Sequence, residues 1–166
     1  HNISYCFFEV ILFRDLKPEN IGLTRDNHVK LFDFGLCKEL KDSIKNVNGD
    51  YMCTQYMGTP RYMSPEVHNG RYYGLPADIY SFTLILWELM SLDMCFKKAN
   101  SLPELVALAY RKKCTLPIQK SWPIEARRLL QKGLNLDPLK RPNAIEIHED
   151  LHYCMRKEIT RVVQLK

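Results

Sequence analysis

No stretch of this chain is long and apolar enough to cross a bilayer. The most apolar run, Tyr5-Cys6-Phe7-Phe8-Glu9-Val10-Ile11-Leu12-Phe13, is nine residues, where a spanning helix needs about 20. It also lacks the basic start of a secretory signal, so no membrane partner is expected. The six cysteines, Cys6, Cys37, Cys53, Cys95, Cys114 and Cys154, form neither close metal-type pairs nor a secretory framework. Reduced thiols in a cytoplasmic or nuclear protein are expected instead. Basic residues outnumber acidic ones, 24 to 19. They are scattered apart from short groups such as Arg111-Lys112-Lys113, and no aromatic-interleaved basic stripe appears. That pattern reads as a solvated face rather than a nucleic-acid groove. Repeats, low-complexity tracts and a Pro/Gly/Ser linker are absent as well, which leaves a single domain-sized unit.

What is present is ordinary for a globular domain: 166 residues, 46% hydrophobic and 26% charged. Ile21 to Phe32 reads as two short strands around the polar turn Arg25-Asp26-Asn27-His28. With the turn centred on Asp26-Asn27, Asn20 and Asp33 are equidistant from it and meet at the open end. Paired strands lie about 4.8 Å apart, so an amide oxygen and a carboxylate there can share one ion. Oxygen-only ligands suit Mg²⁺ completed by phosphate oxygens and water. Asp15 lies on the loop feeding the first strand.

Pro76 to Met90 is the strongest helix signal. A proline lies near its start, Asp78 sits in the first turn, and apolar residues occupy nearly the whole circumference, as in a buried central helix. Pro103 to Lys113 and Pro123 to Gly133 read as amphipathic helices. A last helix, capped by Asn143, runs through Ala144, Ile147, Leu151 and Met155.

Phe13-Arg14-Asp15-Leu16-Lys17-Pro18-Glu19-Asn20 resembles the catalytic loop of the eukaryotic protein kinases, and Asp33-Phe34-Gly35 their metal-binding motif. Gly58-Thr59-Pro60-Arg61-Tyr62-Met63-Ser64-Pro65-Glu66 resembles the end of their activation segment, with Ser64 where alanine is usual. Motifs in this order and spacing are very specific. The fold the resemblance implies is the C-terminal lobe of a protein kinase: mainly α with a small β-hairpin, a helical layer around a buried central helix, and no N-lobe. Residues 1–9 form an atypical stretch, 10–157 the partial catalytic domain, and 158–166 a tail. Neither a glycine-rich loop nor a strand lysine precedes the catalytic loop, so the isolated chain is expected to be inactive.

The resemblance also implies roles. ATP and Mg²⁺ would be the cofactors and a protein the substrate. Asp15 would accept the proton of a substrate hydroxyl, Lys17 would neutralise the γ-phosphate, and Asn20 and Asp33 would hold the metal. Thr59 would bond to Asp15 and Lys17 and shape the substrate site. Asp78 would accept backbone N–H bonds from the catalytic loop, and Arg141 would pair with Glu66. Thr54 and Tyr56 are candidate phosphosites, with Ser43 less favoured, and a phosphate there would pair with Arg14. Any exposed loop hydroxyl has the same appearance.

Lysine at position 17 resembles serine/threonine kinases, and Asp33-Phe34-Gly35-Leu36 with Ser81-Phe82 and Leu86-Trp87-Glu88 leans toward their tyrosine-kinase-like group. Gly22 departs from the family, which often carries there a leucine that forms the floor under adenine. Either the pocket is roomier or Ile21 or Leu23 supplies the floor. A second reading, a non-catalytic interaction module, remains beside the enzyme. Intact Asp15, Lys17, Asn20 and Asp33 favour the enzyme, since a scaffold has no chemical need for all four. Oligomeric state is not legible.

Overall fold

The computed structural model describes residues 11–40, 51, 53–111 and 116–164. The atypical stretch 1–9, Ser43, the turn-rich segment 46–50 and Lys112-Lys113 lie outside the described residues.

Four short strands come first. β1 (Ile11–Leu12) pairs antiparallel with β4 (Lys38–Glu39), and β2 (Ile21–Leu23) with β3 (Val29–Leu31). Short helices follow: α1 (Pro65–His68), α2 (Pro76–Ser91), α3 (Leu102–Val106), α4 (Ile124–Gly133) and the long α5 (Ala144–Gln164). The result is a helix-rich unit with small sheets.

The hairpin register corrects the sequence reading by one residue. Ile21 pairs with Leu31 and Leu23 with Val29, and Phe32 N–H donates to the Asn20 carbonyl at 2.8 Å. Asn20 therefore stands opposite Phe32, and Asp33 lies one residue further on. The turn explains the shift. Asn27 N–H donates to Thr24 O, His28 N–H donates to the Thr24 hydroxyl, and Asn27 adopts φ of 58°. A turn closed by one left-handed residue has an odd number of loop residues, so the centre falls on Asp26 alone. Asn tolerates that conformation better than most residues.

α2 is the pillar. Ala77, Asp78, Ile79, Tyr80, Ser81, Thr83, Leu84, Ile85 and Trp87 are all buried along it. Phe13, Leu16 and Leu31 from the strand layer pack into one core with Tyr80, Leu84, Ile85, Leu105 and Leu130. On the opposite flank Ile79 meets Leu129 of α4 and Ile147 of α5. Only the last turn emerges, where Leu89 is exposed.

One helix expectation changes. α3 ends at Val106 and continues as a wider π turn, Ala107–Arg111, rather than as one helix to Lys113. That turn carries Tyr110, whose hydroxyl donates to the Met63 carbonyl at 2.7 Å. In α5, Ile147 is buried and Leu151 half-buried, but Met155 is exposed. Met155 is on the solvent side of the helix, while Lys157, two residues on, still reaches Glu125 of α4 at 3.0 Å. Its N-terminus is closed reciprocally. Glu146 N–H donates to Asn143 Oδ1 and Asn143 N–H to Glu146 Oε2, at 2.9 and 2.8 Å.

A buried ion pair joins the middle of the chain to its end. Arg141 Nη1 and Nη2 donate to Glu66 Oε1 and Oε2 at 2.6 and 2.8 Å, and Nη1 also donates to the Pro76 carbonyl. The guanidinium is further satisfied by Asn135 O and lies 5.0 Å from the Tyr80 ring centroid. Two parallel charge-assisted bonds in a dry setting fix α1 against the start of α2. Arg141→Met should therefore lose about 3–5 kcal/mol in chemical denaturation, since Glu66 stays buried without its partner. The Glu66→Leu/Arg141→Met double variant should lose less than that single change. A loss under about 1 kcal/mol in Arg141→Met would contradict the clamp.

Candidate active site

Arg14 begins the site in a conformation few residues adopt, with φ of 71°. The chain tolerates it because the backbone leading into it is held at two successive N–H groups. Phe13 N–H and Arg14 N–H both donate to the Asp78 carboxylate, at 2.6 and 2.9 Å. Asp78 is 2% exposed and rides in the first turn of α2, where the dipole favours an anion. Thus the pillar reaches across 65 residues of sequence to set the loop. Its neighbour Ser81, one turn on, donates to the Tyr62 carbonyl at 2.7 Å. The sequence reading gave Ser81 no such bracing role. A small hydroxyl three residues from Asp78 on an otherwise apolar helix is the signal that marks it.

From that anchor the loop turns into a 3-10 turn, Pro18–Asn20, with Lys17 as its extended entry. Asp15, Lys17, Asn20 and Thr59 converge. Lys17 Nζ donates to Asp15 Oδ2 at 2.8 Å and to the Thr59 hydroxyl at 2.9 Å. Thr59 in turn donates its N–H and hydroxyl to Asp15 Oδ1, at 2.9 and 2.7 Å. Asn20 Nδ2 donates to the Asp15 carbonyl and to Oδ2, at 2.9 and 3.2 Å. Each carboxylate oxygen of Asp15 thus accepts two bonds, which is the full capacity of the group.

Electrostatics follow from that crowding. Burial alone would push Asp15 up. The bonds from Lys17 and Thr59, with the Lys17 charge, outweigh it and hold the carboxyl below its usual range. Lys17 is raised above the usual ammonium range, chiefly by its bond to Asp15, with the Glu19 and Asp33 carboxylates adding to it. Asp33 therefore faces the same ammonium even though it is not the cross-strand partner of Asn20. It takes a left-handed conformation, φ 56°, and its Oδ1 accepts Gly35 N–H at 3.2 Å.

This donor set fits a hard cation. With its nitrogen turned to Asp15, the Asn20 amide presents its oxygen the other way, and Asp33 is an exposed carboxylate one residue past the rung opposite Asn20. An amide oxygen and a carboxylate, with the remaining positions open to phosphate and water, suit Mg²⁺. Among the described residues no cluster of three His, Cys, Asp or Glu offers a rival metal site.

The segment entering the site from 53 to 66 is held at many points. Gly58 has φ of 104°, and a Cβ there would fall on the Arg14 carbonyl oxygen, so only glycine permits this approach. Arg61 donates to Cys95 O at 2.6 Å, and the Tyr62 hydroxyl lies 3.1 Å from both oxygens of Glu88. Burial and the neighbouring carboxylate push that phenol above its ordinary range. Upstream, Leu40 and Cys53 are buried, so the ends of the segment 36–57 are anchored rather than loose. Thr54 is exposed and its carbonyl accepts from Tyr73 Oη at 2.6 Å, while Tyr56 is exposed with φ of 56°. Arg14 Nε donates to the Leu36 carbonyl, and its Nη1 is buried without a hydrogen-bond partner. The Phe13 ring meets the Phe34 ring edge-on at 5.5 Å.

The family model for the protein kinase domain matches residues 1–152. The serine/threonine-protein kinase Nek8 of Danio rerio is 41% identical over 142 residues, covering 84% of this chain and 19% of that protein. The RAC family serine/threonine-protein kinase homolog of Dictyostelium discoideum is 36% identical over 149 residues, covering 88% of this chain and 32% of that one. A SNF1-related protein kinase catalytic subunit of Arabidopsis thaliana is 35% identical over 147 residues, covering 89% of this chain and 28% of its own length. The chain belongs to the protein kinase family. These relatives carry the name serine/threonine or SNF1-related protein kinase, and the chain spans no more than about a third of their length.

Burial pushes the Asp78 carboxyl up to about 6, although its two N–H bonds and Arg14 oppose the rise. The folded chain therefore binds this proton more tightly than the unfolded chain, whose aspartates titrate near 3.9. The stabilisation linked to that proton is complete below about pH 4 and is lost as pH climbs through about 6. The stability of the wild type minus that of Asp78→Asn, measured by urea denaturation, should accordingly fall between pH 4 and 7 and level off above. A difference that is flat or grows with pH over that window would contradict it.

Proposed function

We propose that residues 10–157 are the C-terminal lobe of a serine/threonine kinase catalytic domain, which transfers the γ-phosphoryl of ATP to a protein hydroxyl. The observation that carries this reading is the convergence of Lys17, Asn20 and Thr59 on the Asp15 carboxylate. A purely structural aspartate needs no partially exposed lysine beside it and no open oxygen pair next door.

The residues divide the work as follows. Asp15 orients the incoming serine or threonine hydroxyl and takes its proton. Its depressed pKa makes it a weak base, so the proton moves late, as the oxygen–phosphorus bond forms and the bond to the leaving β-phosphate oxygen breaks. In the resting arrangement every acceptor site of Asp15 is occupied. Lys17 is the one partner on a flexible stem, and a phosphate draws its ammonium away and frees Oδ2 for the hydroxyl. Thr59 keeps Oδ1 fixed throughout. Asn20 and Asp33 are the residues that hold Mg²⁺, which when bound neutralises charge on the transferring phosphates. Phosphorylation at Thr54 or Tyr56 fits the unpartnered Nη1 of Arg14, a cation with spare donors.

The 166 residues contain no glycine-rich loop ahead of Asp15 and no strand lysine for the α/β-phosphates. We therefore expect the isolated chain to bind nucleotide without measurable transfer above an Asp15→Ala control. Binding is the sharper test. Mg-ATP at ten times its Kd adds roughly 1.4 kcal/mol to stability, or about 3–5 °C in Tm for a chain of this size. Asp33→Asn should remove the Mg²⁺-dependent part of that shift. A magnesium-dependent shift that survives Asp33→Asn would overturn the metal assignment, and no shift in the wild type would overturn nucleotide binding by this chain.

A further inference from the structure

The hairpin carries a vacancy and something that fills it. Gly22 lies on β2 opposite Lys30, and Phe32 is two residues beyond Lys30 on the same face. From that diagonal position the Phe32 ring lies over the glycine: a Cβ built on Gly22 would sit 2.5 Å from Phe32 Cε2 and 3.0 Å from Cζ. Aromatic side chains reach diagonal neighbours in this way, and a ring over a glycine restores the contact that the missing side chain would make. Yet the ring is not consumed by packing, since Phe32 remains 53% exposed. A half-exposed aromatic ring beside a polar site is a surface waiting for a flat apolar partner.

Its placement says which partner. Phe32 N–H bonds to Asn20 O, and Asp33 is the next residue. The ring is thus one residue from Asp33 and directly across the ribbon from Asn20, the two oxygen ligands proposed for the metal. By alternation, Asn20, Gly22 and the ring belong to one face of the ribbon. Ile21 and Leu23, the apolar side chains of β2, belong to the other, paired with Leu31 and Val29. They do not offer a floor on this side.

We propose that the Phe32 ring is the platform for the nucleotide base in this chain, taking the place left by Gly22. This rests on the nucleotide reading given above. The base stacks on the exposed part of the ring while Asn20 and Asp33 address the phosphates through the metal. Aromatic stacking of a base contributes about 1–3 kcal/mol, so Phe32→Ala should weaken ATP binding about 5- to 150-fold. Gly22→Leu combined with Phe32→Ala supplies an aliphatic platform from the other strand and should recover part of that loss.

The experiment is a fluorescence titration of Phe32→Trp in the full chain, with the wild type subtracted to remove Trp87 and Trp122. Mg-ATP should quench the new indole, whereas Mg-tripolyphosphate, which has the phosphates but no base, should not. Loss of affinity for TNP-ATP in Phe32→Ala, with recovery in the Gly22→Leu double variant, completes the case. If ATP displaces TNP-ATP from Phe32→Trp but leaves its indole emission unchanged, the platform is elsewhere and the nucleotide reading stands. If the wild type binds neither ATP nor TNP-ATP, both this inference and the nucleotide reading fall together.

Discussion

Two backbone N–H groups on one carboxylate hold this molecule in its working shape. Phe13 and Arg14 donate to Asp78 inside a dry core, and a positive φ at Arg14 persists only where surrounding structure holds it. Everything polar nearby depends on that. Asp15 follows directly, so the direction of its carboxylate is set by where α2 places Asp78. The buried ionisable group costs desolvation, as its raised pKa records. The two N–H bonds offset that cost, and their geometry gives the loop one conformation.

Around Asp15 the arrangement is a balance of charges rather than a single bond. A carboxylate sharing four donors is rigid but occupied. Among those donors Lys17 is the one on a long flexible stem. Thr59 arrives on a segment pinned by Gly58, by Tyr62 with Glu88, by Tyr110, and by the Glu66–Arg141 pair. The segment that meets a substrate is therefore braced by the loop at Arg14 and by three contacts to the helical layer. That is why changes far from Asp15, at Arg141 or Tyr110, bear on the same site.

How much of this was legible in the sequence depends on the distance over which each interaction acts. The α2 pillar was plain, because a sixteen-residue helix with apolar residues all around has one place to go. The reciprocal cap at Asn143 and Glu146 was half visible, since its spacing is local. The hairpin was visible but its register was not. The left-handed Asn27 makes the loop odd, and a one-residue offset moves Asp33 away from Asn20's rung. Pairings such as Phe13 with Asp78 or Asp15 with Thr59 bridge 65 and 44 residues. No periodicity encodes them, and in the sequence they were reached only through resemblance to a family. The Phe32 ring over Gly22 escaped altogether, because a glycine in a strand announces a gap without naming what fills it.

The central claim is that Asp78 fixes the loop from within the core, and amide hydrogen exchange addresses it directly. If the claim holds, the amides of Phe13 and Arg14 exchange only through global unfolding, with the same free energy as the slowest amides of α2, despite lying in a loop. Exchange of those two amides at rates typical of an open loop, while α2 stays protected, would show that the carboxylate does not hold them.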